Sequence, residues 1–191
     1  PGVRQVFPFE NRGQEIGVTL HHPHGQIYAY PFVTPRTKKL LDSISEFGPD
    51  LFQKTLEFEQ ASERLLIKGE HCTAYVPFAA RWPLEIHLLP HRHVQHFGQL
   101  SHDERDELAT IYSQLLGALD RIYDTPTPYI SAWHQAPLVP GGENVRLQLQ
   151  ITSPRRGADK LKFLAGSESA MGAFIADIAP ESAAALIRGA F

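Results

Sequence analysis

The sequence predicts an α+β fold: a mostly antiparallel sheet with flanking helices. Three observations carry that prediction. Short apolar runs bounded by Gly, Pro, Asn and Asp recur along the chain, as strands do. One long stretch repeats its apolar residues at helical spacing. No low-complexity linker divides the 191 residues, a length that suits one domain of ordinary size.

The elements follow in order. Residues 3–9 read as extended. Residues 11–19 hold Gly13 and Gly17 and read as a loop. Residues 26–32 (Gln-Ile-Tyr-Ala-Tyr-Pro-Phe) read as a strand, and Pro31 ends its pairing. Thr34-Pro35 fits a helix N-cap and first turn. Leu40, Leu41, Ile44 and Phe47 then share one helical face, which Gly48-Pro49 stops. Asp50 suits the cap of a second helix through Leu51, Phe52, Thr55 and Leu56. Three strand candidates follow, at 65–68, 72–77 and 84–90, with Leu84, Ile86 and Leu88 on one face. Ser101 with Glu104 forms a capping box. The helix behind it carries Leu108, Ile111, Tyr112, Leu115, Leu119, Ile122 and Tyr123 in one stripe. Residues 129–134 and 145–152 read as strands around a loop at 137–144. Residues 160–173 mix polar and apolar positions. Ala179-Pro180-Glu181 opens a last helix through Ile187.

Composition narrows the function classes. Hydrophobic residues make up 42% and charged residues 20%, as in globular proteins. No run of about 18 apolar residues occurs, so no membrane partner is expected. No secretory signal pattern is visible, and a single cysteine, Cys72, excludes an internal disulfide. A cytoplasmic location is expected. A formal net charge of −3 argues against nucleic acid as a partner. The chain begins at Pro1 and enters its chemically richest segment soon afterwards. That reads as a fragment whose missing part lies on the N-terminal side.

The richest segment is His22-Pro23-His24-Gly25-Gln26. In extended backbone, alternate residues point the same way, so His22, His24 and Gln26 are expected on one face. A neutral imidazole such as His24 can attack phosphorus and hold a covalent phosphoramidate. The Gln26 amide suits a non-bridging phosphate oxygen. Loop amides around Gly13 and Gly17, with Thr19, suit the other oxygens. Two further readings stay open from spacing alone. A His-x-His pair also suits a strand surface, and it can ligate zinc, though zinc usually takes three or four protein ligands. The cluster His87, His91, His93 and His96 reads as a polar strand end near the surface. His134 suits either a structural hydrogen bond or a ligand. Lys162 suits contact with an anionic substrate, although most lysines are solvated.

Together these residues resemble a known family. Phe9-Glu10-Asn11-Arg12-Gly13 followed by His22-Pro23-His24-Gly25-Gln26 is similar to galactose-1-phosphate uridylyltransferase. The similarity continues through Trp82-Pro83-Leu84-Glu85, Leu89-Pro90, His93-Val94, Trp133-His134, Ala136-Pro137 and Lys162-Phe163-Leu164-Ala165-Gly166-Ser167-Glu168. The family is built from two histidine-triad-like (HIT-like) halves. The resemblance implies that residues 1–33 end the N-terminal half and that 34–191 form the C-terminal HIT-like domain. It implies a double displacement in which UMP passes from UDP-glucose to a histidine and then to galactose 1-phosphate. By resemblance His24 is the nucleophile and Gln26 stabilises the intermediate. Asn11, Gly17, Thr19 and Gln26 match phosphate-binding positions. Lys162, Phe163, Ala165 and Glu168 match the sugar-recognition segment, which the family supplies from a neighbouring subunit. Ser167 departs there from a tyrosine found in some members.

The resemblance also implies metals and partners. His22 matches a zinc ligand whose companions lie in the family's N-terminal half. Zinc is therefore expected of the complete enzyme rather than of this chain alone. Some members carry a second, iron-type site that uses a histidine matching His134 and two more on a strand. Here that strand reads Leu147-Gln148-Leu149-Gln150, with Leu40 near the position of a helical glutamate. No iron-type site is expected. A missing or separately encoded N-terminal half is expected as partner, with a homodimer of the complete enzyme. The alternatives are a related HIT-superfamily nucleotidyltransferase or dinucleoside polyphosphate phosphorylase, or a non-catalytic subunit or inactive fragment.

Overall fold

The structure is a computed structural model and describes residues 2–19, 22 and 24–191. Pro1 and Pro23, named above, lie outside the described residues. The first strand, β1 (Gln5–Arg12), pairs antiparallel with β2 (Gly25–Tyr30), and a short 3-10 turn (Gln14–Ile16) lies between them. Asn11 and Arg12, expected in the loop, complete β1 instead. Pro8 is tolerated because the ladder to the next neighbour begins only at Phe9, so its missing N–H costs no rung there.

Two helices follow, α1 (Pro35–Phe47) and α2 (Leu51–Gln60). Neither Thr34 nor Asp50 makes a side-chain cap bond. Buried Gln5 accepts from the Thr34 N–H (3.0 Å) and donates to Thr37 Oγ1 (2.8 Å), which ties the start of α1 to β1. The strands β3 (Leu65–Lys68), β4 (Cys72–Tyr75) and β5 (Leu84–Pro90) form where their patterns predict. The long helix α3 (His102–Arg121) carries the capping box: Ser101 Oγ accepts from the Glu104 N–H while the Glu104 carboxylate accepts from the Ser101 N–H. Then come β6 (Tyr129–His134) and β7 (Gln148–Ser153). A hairpin of β8 (Arg155–Gly157) and β9 (Lys160–Leu161), with a short helix α4 (Gly166–Met171), orders the mixed stretch after β7. The last element is α5 (Pro180–Arg188).

Seven strands make one antiparallel sheet in the order β2-β1-β6-β7-β5-β4-β3. This is the α+β architecture that the sequence predicts. One face buries Leu84, Ile86, Leu88, Leu149 and Ile151 against α3 and α5. Each such side chain contributes about 1.5–3 kcal/mol of burial. The other face packs Tyr75 and Leu89 against Ile44, Phe52 and Leu56 of α1 and α2. Toward β1 and β2 that second face turns aromatic and open: Phe7 stacks on Phe9, which meets Tyr28 edge-on. No described helix is long and apolar enough to cross a membrane.

Candidate functional site

The β1–β2 hairpin positions the histidine motif at one edge of the sheet. Phe9 lies opposite Gln26 and Glu10 opposite Gly25. That register brings Asn11 level with His24, one step beyond the last paired residues. The connecting turn requires glycine at Gly13: its φ is +111°, and an added Cβ would lie 2.6 Å from Pro128 Cβ. Gly17 closes the turn in the left-handed region, at φ +87°.

Gln26 Nε2 lies 3.4 Å from His24 Nε2. With that ring nitrogen unprotonated, the amide donates to it, and the bond is long enough to exchange for a phosphate oxygen. The expectation that His22 shares this extended face is not met. The strand starts only at Gly25, and His22 sits in a bend. His22 lines a cleft of about 760 Å³ with Glu10, Asn11, Arg12, Asp120 and Tyr129. In that cleft the Tyr129 hydroxyl donates to Glu10 (2.9 Å), and Arg12 pairs with Asp120 (2.9 Å). Gly17 and Thr19 lie on the exposed part of the loop.

The segment expected to meet the sugar lies elsewhere. Lys162 is neither solvated nor free to meet an anion. Its ammonium is buried 2.7 Å from the Glu168 carboxylate and also donates to the Ile175 carbonyl. Glu168 accepts from the Ala165 N–H (3.0 Å) at the start of α4. The lysine hydrogen bond and the backbone N–H groups of Ala165 and Ile175 hold its carboxyl at about 2. Phe163 is 80% exposed. Lys162 and Phe163 line a second pocket of about 220 Å³, opposite Glu15 and Ile16 and beside Trp82. The structure thus joins His24 to Gln26 and Lys162 to Glu168, as two separate pairs.

His134, Gln148 and Gln150 do come together, on the inner face beneath α1. Arg36, in the first turn of α1, donates to Gln150. His134 Nε2 is buried with no hydrogen-bond partner. Burial, then the charges of Arg36, His87 and Arg81, push this imidazole down to about 3. Nearby, burial pushes the Glu85 carboxyl up, but His87, hydrogen-bonded at 3.0 Å, and Arg81 outweigh it and hold it at about 2. His87 therefore belongs to this inner cluster rather than to the surface. His91 bridges the Glu70 carbonyl and Thr73, His93 meets the Glu143 carbonyl, and His96 caps a short turn.

These donors do not fit metals. Among the described residues, no group of three or more His, Cys, Asp or Glu side chains lies close enough to hold an ion. A reading of this chain as metal-binding by itself is corrected accordingly: around His22 the cleft holds an ion pair and a tyrosine-bound carboxylate. Around His134 stand the Gln148 and Gln150 amides and the charges of Arg36, Arg81 and His87, and the guanidinium cations repel a metal ion.

Sequence reasoning missed Arg36, and it also missed Arg155, whose guanidinium is buried against Glu15 of the turn. These partners lie 114 and 140 residues apart, so no local pattern marks them.

Comparison with known proteins agrees with the geometry. A family model described as "Galactose-1-phosphate uridyl transferase, C-terminal domain" matches residues 37–190, and its N-terminal counterpart matches residues 1–34. A galactose-1-phosphate uridylyltransferase of Streptomyces lividans is 52% identical over 72% of this chain and 41% of its own length. That of Thermotoga maritima is 36% identical over 97% of this chain and 60% of its own. A solved uridylyltransferase structure superposes with a TM-score of 0.88 at 36% identity, covering 99% of this chain and 61% of the other. The chain spans about half the length of the curated relatives it matches. The expectation that the N-terminal domain comes wholly from a separate chain is corrected to this extent: the N-terminal domain model matches residues 1–34 of this same chain. Both domain models match this one chain, and β1 of the first segment is hydrogen-bonded to β6 of the second. The chain belongs to the galactose-1-phosphate uridyl transferase family.

Proposed function

We propose that this chain transfers UMP between UDP-glucose and galactose 1-phosphate through a uridylyl-His24 intermediate. The observation that carries the reading is the His24 imidazole held beside the Gln26 amide at the open edge of the sheet. The His24 Nε2 lone pair attacks the uridylyl phosphorus of UDP-glucose. The bond to the bridging oxygen breaks, and glucose 1-phosphate leaves as an anion that needs no proton. A phosphate oxygen of galactose 1-phosphate then attacks the same phosphorus and regenerates the free imidazole. Gln26 donates to the non-bridging oxygens as they gather charge. Asn11, Gly17 and Thr19 hold the remaining phosphate oxygens. Lys162 and Glu168 order the sugar-recognition segment from within, while Phe163 and Ala165 present its outer surface.

Incubation with UDP-glucose labelled in its uridylyl phosphate tests the reading. Wild type is expected to carry an acid-labile label that the His24→Ala variant lacks. An unlabelled wild type, or a label that persists in His24→Ala, would overturn it. Turnover of adenine dinucleotides in place of UDP-hexoses would favour a phosphorylase instead.

A further inference from the structure

We infer that Arg155 and Glu15 form a positioning pair that ties the phosphate-binding turn to the hairpin leading into the sugar-recognition segment. This inference rests on the function proposed above. Arg155 Nη2 lies 2.5 Å from Glu15 Oε1. The arginine side chain is only 6% exposed and the glutamate side chain 33%. Arg155 Nη1 donates to the Ala158 carbonyl (2.6 Å) inside its own hairpin, so the guanidinium is anchored before it reaches the turn. Its Nη2 also lies 3.4 Å from the Pro126 carbonyl.

Glu15 stands in the middle of the short 3-10 turn that leads to Gly17 and Thr19. Among the described residues, three backbone bonds support the turn: Ile16 and Val18 donate to Gly13, and Gly17 donates to Gln14. A three-residue turn is weakly cooperative by itself. An anchored guanidinium restricts where its amides point. On the other side, Arg155 lies opposite Leu161, the residue before Lys162. The pair therefore bridges two substrate segments that are remote in sequence. The pocket between them has Glu15 and Ile16 on one wall and residues 161–164 on the other. Phosphoryl transfer depends mainly on positioning, so a turn free to drift lowers the rate without removing a reacting group.

The test combines a double-mutant cycle with hydrogen exchange on the full chain. In E15Q, the amides of residues 14–19 should exchange at least about tenfold faster, while those of α3 stay unchanged. In E15Q and in R155M, kcat/KM for UDP-glucose should fall about tenfold or more, and the double variant should fall no further than the worse single one. R155K, which keeps the charge but loses the planar fork, should recover only part of the rate. Arg155 is buried, so R155M also perturbs the fold. E15Q alters a partly exposed side chain and keeps the experiment decisive. Unchanged exchange at 14–19 in E15Q, or losses that simply multiply in the double variant, would overturn the inference. A wild type that takes no label defeats the function proposed above, while the exchange experiment still decides the pair.

Discussion

Replacing His134 by phenylalanine should flatten the acid limb of the stability curve. His134 Nε2 is buried without a partner, and burial with the charges of Arg36, His87 and Arg81 pushes the ring down to about 3. An unfolded histidine titrates near 6.5. The folded-state value is the depressed one, so the unfolded chain binds the extra proton. Stability is therefore full above pH ~6.5 and is lost as pH falls toward ~3. At about 1.4 kcal/mol per pH unit, the loss between pH ~7.5 and ~4.5 amounts to at most roughly 2.5 kcal/mol. The carboxylates held at about 2 (Glu85, Glu104 and Glu168) have an ordinary value of 4.5 and weaken the fold mainly below it. Wild type and variant share these carboxylates, so the difference between their curves isolates the histidine. Phenylalanine keeps the ring that packs 5.5 Å from Phe7, and it does not titrate. Urea unfolding of both proteins across that range should show wild type losing the extra ~2.5 kcal/mol. Parallel curves would refute a His134 buried in its neutral form.

Other perturbations have equally direct outcomes. Gly13→Ala forces a Cβ into Pro128 at 2.6 Å with φ at +111°. It should cost about 1–3 kcal/mol in denaturant unfolding and slow labelling of His24. Gln26→Ala should leave the melting temperature unchanged and slow formation of the labelled intermediate by about 100- to 1,000-fold in a single-turnover assay. Ser101→Ala removes one arm of the capping box on α3 and should cost about 1 kcal/mol, read by urea midpoint. Lys162→Met leaves the Glu168 carboxylate without its cation and should expose residues 163–175 to protease about tenfold faster than wild type. Adding Glu168→Gln should recover part of that protection.

Much of the fold was legible because its signals are local. The capping box at Ser101 and Glu104 needs only four residues, and the stripe behind it repeats every turn of the helix. Alternation in Leu84, Ile86 and Leu88 marks a buried strand face within a few residues. Boundaries were less legible. The β7 strand begins at Gln148 rather than at residue 145, because the Val145 and Leu147 amides bond to Gly142 and Val94 instead of a neighbouring strand. The β8–β9 hairpin escaped because so short a pairing carries no periodicity.

By itself the sequence determined the α+β class, the position of most elements and the identity of the His24 and Gln26 motif. All of these are written in consecutive or near-consecutive residues. Tertiary structure alone decided what each charged side chain does. Lys162 is spent on Glu168, Arg155 on Glu15 and Arg36 on Gln150. The physical reason is one of range. Backbone propensity and hydrophobic period act over a few residues, whereas a charge takes whichever partner the folded chain brings within ~4 Å.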